Sequence, residues 1–209
     1  MSVLNRLAHS LGRRDEVPNQ ELARDLASNK DKAGIREIAE NLWNKNKNIQ
    51  ADCIKVLYEV GYLQPALVAD YVEDFIRLLK SRNNRLVWGG MTGLATVAEL
   101  KADVIYARLA EIQKAMDEGS VITMDNGILA LARAASKGEQ YNKAIFPFLL
   151  AHLKTCRPKD VAQHAEKTLA AVNAGNKAEF IAALAKRMVD LSGAGLARVK
   201  KVVKEAQQR

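Results

Sequence analysis

Aromatic residues make up only 5% of the 209-residue chain. That scarcity argues against a β-sandwich, whose core relies on rings and β-branched side chains, and favours short side chains between closely spaced helices. Four prolines and twelve glycines are too few for a collagen-like or disordered chain. Cys53 and Cys156 stand far apart and outside any C-x-x-C motif, the usage of a reduced, cytoplasmic protein with two ordinary thiols. No apolar run reaches the ~20 residues needed to cross a bilayer, so no transmembrane segment is expected. The first residues lack an apolar stretch followed by a small-residue cleavage site, so no secretory signal is expected either. His9, His152 and His164 are scattered, with no ligand spacing among themselves or to the cysteines, and no glycine-rich phosphate loop occurs. Neither a metal nor a cofactor is expected, and no catalytic motif is visible.

Present instead are a hydrophobic fraction of 48%, enough to bury a core, and a formal net charge of +8. A basic surface suits nucleic acid, anionic lipid or an acidic protein partner, and equally serves solubility alone. The chain also repeats itself. Leu57 recurs as Leu94, Leu131 and Leu169, at spacings of 37, 37 and 38 residues. In the second helix of each unit Leu79 recurs as Met116, Leu153 and Val189, anticipated by Leu42. Four residues before each repeated leucine stand Cys53, Gly90, Gly127 and Ala165, all small. A small residue there lets one helix approach its neighbour closely, despite the cost of glycine in a helix.

The spacing predicts helices with Ile49, Cys53, Leu57 and Val60 on one face, ended by Gly61, then a second helix opened by Pro65. Later units carry Leu86, Gly90, Leu94 and Val97 with Leu109, Ile112 and Met116, then Gly127, Leu131 and Ala134 with Phe146, Leu149 and Leu153. The last carries Val161, Ala165, Leu169 and Val172 with Ala182, Ala185 and Val189. Residues 1–17 read as an amphipathic leader or cap, with Val3, Leu4, Leu7, Ala8 and Leu11 on one face. Residues 18–190 read as the repeat array. Residues 193–209 form a basic capping helix after a Gly193–Gly195 hinge.

At Phe146-Pro147-Phe148-Leu149, continuing through Leu153 to Val161, Ala165 and Leu169, the chain resembles a HEAT repeat: a proline within the first helix, a loop, then a hydrophobic, a small residue and a leucine in the second. The resemblance covers roughly residues 20–190. It implies an all-α superhelix of about nine to eleven helices in antiparallel pairs, with the helices of Leu57, Leu94, Leu131 and Leu169 on the concave side. The chain departs from the HEAT pattern where an arginine follows the hydrophobic residue that opens the second helix; Gln50, Val87, Met124 and Ala162 stand there.

Two groups of residues are candidates for binding. One is a concave cluster of Trp88, Asp125, Asn126, Arg133, Gln163 and His164, for a protein partner. The other is a basic rim of inter-unit loops, Lys45, Lys47, Lys80, Arg82, Arg85, Lys154, Arg157 and Lys159, for phosphates. Trp88 near an acid also resembles HEAT-like alkylpurine DNA glycosylases, which hold a modified nucleotide between aromatic and acidic residues. That pattern needs an acid four residues after the tryptophan; here Thr92 stands there, and only Asp125 of the next unit would substitute. A non-enzymatic scaffold with a concave binding surface is therefore the first expectation, with nucleic-acid binding, including a glycosylase, the alternative. The oligomeric state is left open.

Overall fold

The computed structural model describes residues 2–209. Five units of antiparallel helices stack in chain order. They are α1 (Val17–Ser28) with α2 (Lys32–Glu40), α3 (Lys47–Leu63) with α4 (Val72–Leu78), α5 (Asn84–Val97) with α6 (Ala102–Ala107) and α7 (Leu109–Glu118), α8 (Val121–Ala135) with α9 (Glu139–Thr155), and α10 (Pro158–Thr168) with α11 (Lys177–Arg187). A last helix, α12 (Gly193–Gln207), covers the end of the stack against α10 and α11. Among the described residues there is no strand. Among them no helix is long and apolar enough to cross a membrane.

The expected all-α superhelix is present, with twelve helices because the second helix of the third unit is broken at Arg108. The helix starts follow local chemistry. Asp31 and Ser120 accept main-chain N–H bonds from Gly34 and Thr123, and Asn46 and Asn83 cap α3 and α5 in the same manner. Pro18 and Pro158 occupy the first turns of α1 and α10.

Two layers result. The helices α1, α3, α5, α8, α10 and α12 lie side by side in contact, whereas in the layer of α2, α4, α7, α9 and α11 neighbours touch far less up to α9, and only α9 and α11 pack comparably. A stack curves towards its more tightly spaced layer, which puts the first layer on the concave side.

The tight spacing within the first layer is helped by Gly61 and Gly89, where a Cβ would meet Thr96 of α5 and Ile54 of α3, whereas the small-residue column lies between the layers. Cys53 and Ala165 are fully buried. A Cβ on Gly90 would come within 2.7 Å of the Phe75 carbonyl oxygen in α4, and one on Gly127 within 2.5 Å of the Met116 side chain in α7. Each unit's concave helix thus seats against the outer helix of the unit before it. The repeated leucines Leu57, Leu94 and Leu131 are fully buried.

Four local expectations are corrected. Gly61 does not end α3, which runs on to Leu63; it serves close packing, since a Cβ there would meet Thr96 of α5 at 2.3 Å. Pro65 opens a short 3-10 turn, and the second helix starts only at Val72. The N-terminal segment forms a 3-10 turn at Val3–Arg6 rather than a full helix; Leu7 and Ala8 are buried, but Leu11 is 54% exposed. In the fifth unit the outer register moves: Val189 is 85% exposed in a 3-10 turn, Ala182 and Ala185 are exposed, and the buried face is Phe180, Ala183, Leu184 and Arg187. The interval from Phe146, Leu149 and Leu153 to Phe180, Ala183 and Arg187 is 34 residues, because α11 begins at Lys177, about one turn nearer its buried face than α9 does at Glu139. Arg187 thereby takes the place that Leu42, Leu79, Met116 and Leu153 hold in earlier units.

Candidate functional site

The residues expected to form one concave cluster fall into two places, with ties between units separating them. Trp88, on the second turn of α5, is half-buried and lines a cleft of about 630 Å³ at the N-terminal end of the concave layer. The cleft lies between the N-terminal segment and α3 and α5, with Arg13, Arg14, Lys55 and Arg85 on its walls. Tyr58 of α3 packs beside Trp88 at 6.1 Å between ring centres, and the exposed Tyr62 continues the row at 6.0 Å from Tyr58. The Lys55 ammonium lies 5.0 Å above the Tyr58 ring, and burial pushes the Tyr58 hydroxyl up to about 12.

The N-terminal segment is held in place as a cleft wall. Asp52 accepts the His9 main-chain N–H at 2.7 Å and the Asn19 side-chain amide at 2.9 Å, and Asn19 accepts the Ala8 N–H in turn. Asp15 is drawn onto Arg13, and Glu16 onto Lys55 at 2.8 Å. Among the described residues Arg14 and Arg85 have no acidic partner.

Asn126 and Arg133 are occupied within the fold. The Asn126 amide donates to Thr92 Oγ1 at 3.0 Å, and the Arg133 guanidinium donates to the Ala95 carbonyl oxygen at 2.6 Å. These bonds tie α8 to α5. Thr92, where a glycosylase would carry its acid, donates its hydroxyl to the Trp88 carbonyl oxygen.

Asp125 belongs to a different place. Its carboxylate accepts from Gln163 Nε2 at 3.0 Å and from His164 Nε2 at 2.6 Å, while Lys167 donates to its main-chain oxygen at 2.8 Å. The carboxylate is thus already engaged and does not serve as a free acid beside Trp88. His164 is 2% exposed, so it is a buried link and not the surface contact expected of it. Its other ring nitrogen, Nδ1, lies 2.9 Å from His152 Nε2.

His152 is half-buried in the last turn of α9. Burial, with the neighbouring His164, lowers its pKa below the ordinary histidine value. Cys156 follows one turn later at the end of α9, and burial raises its thiol. His152, Cys156 and His164 place their donor atoms within 4.8 Å of one another, which corrects the reading of these side chains as scattered. The signal was present as H-x3-C-x7-H, with the first pair one helical turn apart and the second histidine across a loop.

The basic rim is exposed at all eight positions, but acids interleave with it. Lys80 pairs with Glu111 at 2.7 Å, Arg157 with Asp160 at 2.6 Å, and Lys154 with Glu179 at 3.7 Å. Lys45, Lys47, Arg82, Arg85 and Lys159 have no such partner among the described residues.

No family model matches the chain, and no curated protein does. Solved structures do match it. A designed armadillo repeat protein in complex with the peptide (KR)4 superposes with a TM-score of 0.68 at 14% identity, over 99% of each chain. An engineered protein of otherwise undescribed role gives 0.67 at 17% identity, over 100% of this chain and 98% of that one. Kap121p bound to Pho4p gives 0.68 at 13% identity, over 99% of this chain and 23% of Kap121p. The fold is a HEAT/armadillo-type α-solenoid. Identities this low speak to the fold alone, and the function has to be argued from the residues of this chain.

Proposed function

We propose that this protein is a non-enzymatic scaffold whose concave cleft takes an extended, acidic peptide segment of a partner protein. The observation that carries this reading is the cleft itself: the half-buried Trp88 on its wall, backed by the buried Tyr58, with Arg14 and Arg85 beside it and without an acidic partner among the described residues. An aromatic ring at the base of a cleft supplies contact area at small entropic cost, and the cations at its edge select the sign of the partner's charge. The net charge of +8 acts in the same direction at longer range. The designed solenoid noted above was solved with a peptide of alternating lysine and arginine. The cations of the present cleft favour the opposite charge. A reducing compartment such as the cytoplasm suits two cysteines that are both free thiols.

Fluorescence anisotropy with a Glu-rich peptide carrying one leucine anchor tests the reading, with (KR)4 as the control of opposite charge. Saturable binding of the acidic peptide alone is expected, weakened by Trp88→Ala and Arg85→Glu in variants that keep parental helicity. Equal binding of both peptides, or unchanged binding by both variants, would sink it.

Nucleic-acid binding along the rim has less support, since three of its eight cations already face carboxylates. A mobility shift with duplex DNA at low and at high salt separates the two. Salt-sensitive retention that survives Trp88→Ala would favour the rim.

A further inference from the structure

Apart from the cleft, one cluster of side chains has the composition and spacing of a ligand set. His152 projects from the last turn of α9, Cys156 ends that helix, and His164 stands in the middle of α10. The three donor atoms lie within 4.8 Å of one another, at the edge of a cavity of about 280 Å³ that also touches Asp117, Asp125 and Asp160. We propose that His152, Cys156 and His164 bind a divalent transition metal of the zinc class, with water from the cavity in the fourth position.

The geometry fits such an ion. With metal–nitrogen bonds of about 2.0 Å and a metal–sulfur bond of about 2.3 Å, tetrahedral donors stand about 3.3 to 3.6 Å apart. The two ring nitrogens now lie 2.9 Å apart, so they open by a few tenths of an ångström, while the sulfur closes by about 1.3 Å at most. Both His152 and Cys156 are half-buried at the cavity edge, where side chains have room for that movement.

The outer partners are those that a metal-bound histidine requires. Asp125 accepts the Nε2 hydrogen of His164 at 2.6 Å, which fixes the tautomer and leaves the Nδ1 lone pair facing His152. A carboxylate behind a ligating imidazole orients the ring and raises its basicity. Asp125 is itself held by Gln163. Arg187 donates to the Leu153 and Cys156 carbonyl oxygens at 2.6 and 2.7 Å and so fixes the end of the helix that carries two of the three ligands. Asp117, Asp125 and Asp160 supply negative charge facing the cation, opposing Lys167 and Arg187.

Binding is balanced without any redox partner. The ion takes the lone pairs of His164 Nδ1 and His152 Nε2 and the thiolate of Cys156. The thiol proton leaves to solvent, and the hydrogen that His152 Nε2 shares with His164 moves to His152 Nδ1. Two imidazoles and one thiolate favour zinc-class ions over magnesium or calcium, which take oxygen ligands.

The test uses the full chain stripped of metal and dialysed against Zn2+ or Co2+. One ion per chain is expected, with Co2+ giving a thiolate-to-metal charge-transfer band. Cys156→Ser should abolish that band, and His152→Gln should release the ion, each with helicity unchanged by circular dichroism. Asp125→Asn keeps all three ligands and should weaken zinc binding about ten- to a hundredfold, a loss that a hydrogen-bonded packing role alone would not produce. Zinc retained equally by Cys156→Ser and His152→Gln, no charge-transfer band in the parent, or a stoichiometry far below one would overturn the site.

Discussion

The guanidinium of Arg187 donates to the carbonyl oxygen of Leu153 at 2.6 Å from the position that a leucine or methionine fills in the earlier units. A second bond reaches the Cys156 carbonyl oxygen at 2.7 Å, and Asp190 balances the charge at 2.9 Å. A side chain that replaces a core leucine has here become a cap for the end of α9. Arg187→Leu restores the repeat's apolar residue yet strips two carbonyl oxygens of a charged donor. The variant should be less stable by about 2 kcal/mol, read from the shift of its urea midpoint at unchanged slope.

Three glycines should respond to alanine with different signs. Gly90→Ala drives its new Cβ into the backbone oxygen of Phe75, so it should cost about 1 to 3 kcal/mol. Gly127→Ala meets Met116, whose flexible thioether can turn aside in part, and should cost less. Gly195 has open space around its Cβ position within α12, and Gly195→Ala should stabilise by about 0.5 kcal/mol. Thermal melts of the three variants check the order; equal effects would contradict the close-approach argument.

The stack should lose stability in alkali. Burial pushes the Cys53 thiol up from 9.0 to about 12 and the Tyr58 hydroxyl from 10.0 to about 12. Both groups ionise more readily in the unfolded chain. Their contribution is therefore complete below the unfolded pKa and falls away as pH rises through the window from 9.0 to about 12. Urea midpoints measured across that window should decline. Cys53→Ala, which places in α3 the residue that stands at Ala165 in α10, should flatten the first part of the decline.

One carboxylate holds two groups behind the N-terminal wall of the cleft. Asp52→Ala removes the acceptor for the His9 N–H and the Asn19 amide. Loss of about 1 to 2 kcal/mol is expected, with faster tryptic cleavage after Arg13 and Arg14. Unchanged cleavage would show that the buried Leu7 and Ala8 hold the segment by themselves.

Most of the fold was legible because its columns obey one rule. Leu57, Leu94 and Leu131 recur at constant spacing and all are fully buried. The small residues four places earlier announced the tight helix seats that Gly90 and Gly127 occupy. The pattern misled where α11 begins about one turn nearer its buried face than α9 does. Extending the interval to Val189 put an apolar column on the surface, and the real face, ending in Arg187, did not look apolar at all.

The site was less legible for a related reason. Asp125 and His164 were placed side by side by counting repeats, but counting gives a row and not a depth, so a buried link was read as a concave surface. His152 and Cys156 lie on an outer helix that the counting assigned to packing. Their meeting with His164 depends on the turn between α9 and α10. Trp88 was found because it breaks its row, where Ala51, Asp125 and Gln163 are its counterparts.

The ties between units give the stack a direction. Arg133 reaches back to the Ala95 oxygen, Lys167 to that of Asp125, and Arg187 to those of Leu153 and Cys156. In each case a charged group of a later unit completes the backbone of an earlier one. Removing a later unit hands these acceptors to water, and removing an earlier one hands the charged donors to water. Each seam is therefore a set of bonds from a side chain to a main-chain oxygen that a unit exchanged in an engineered version would have to supply again.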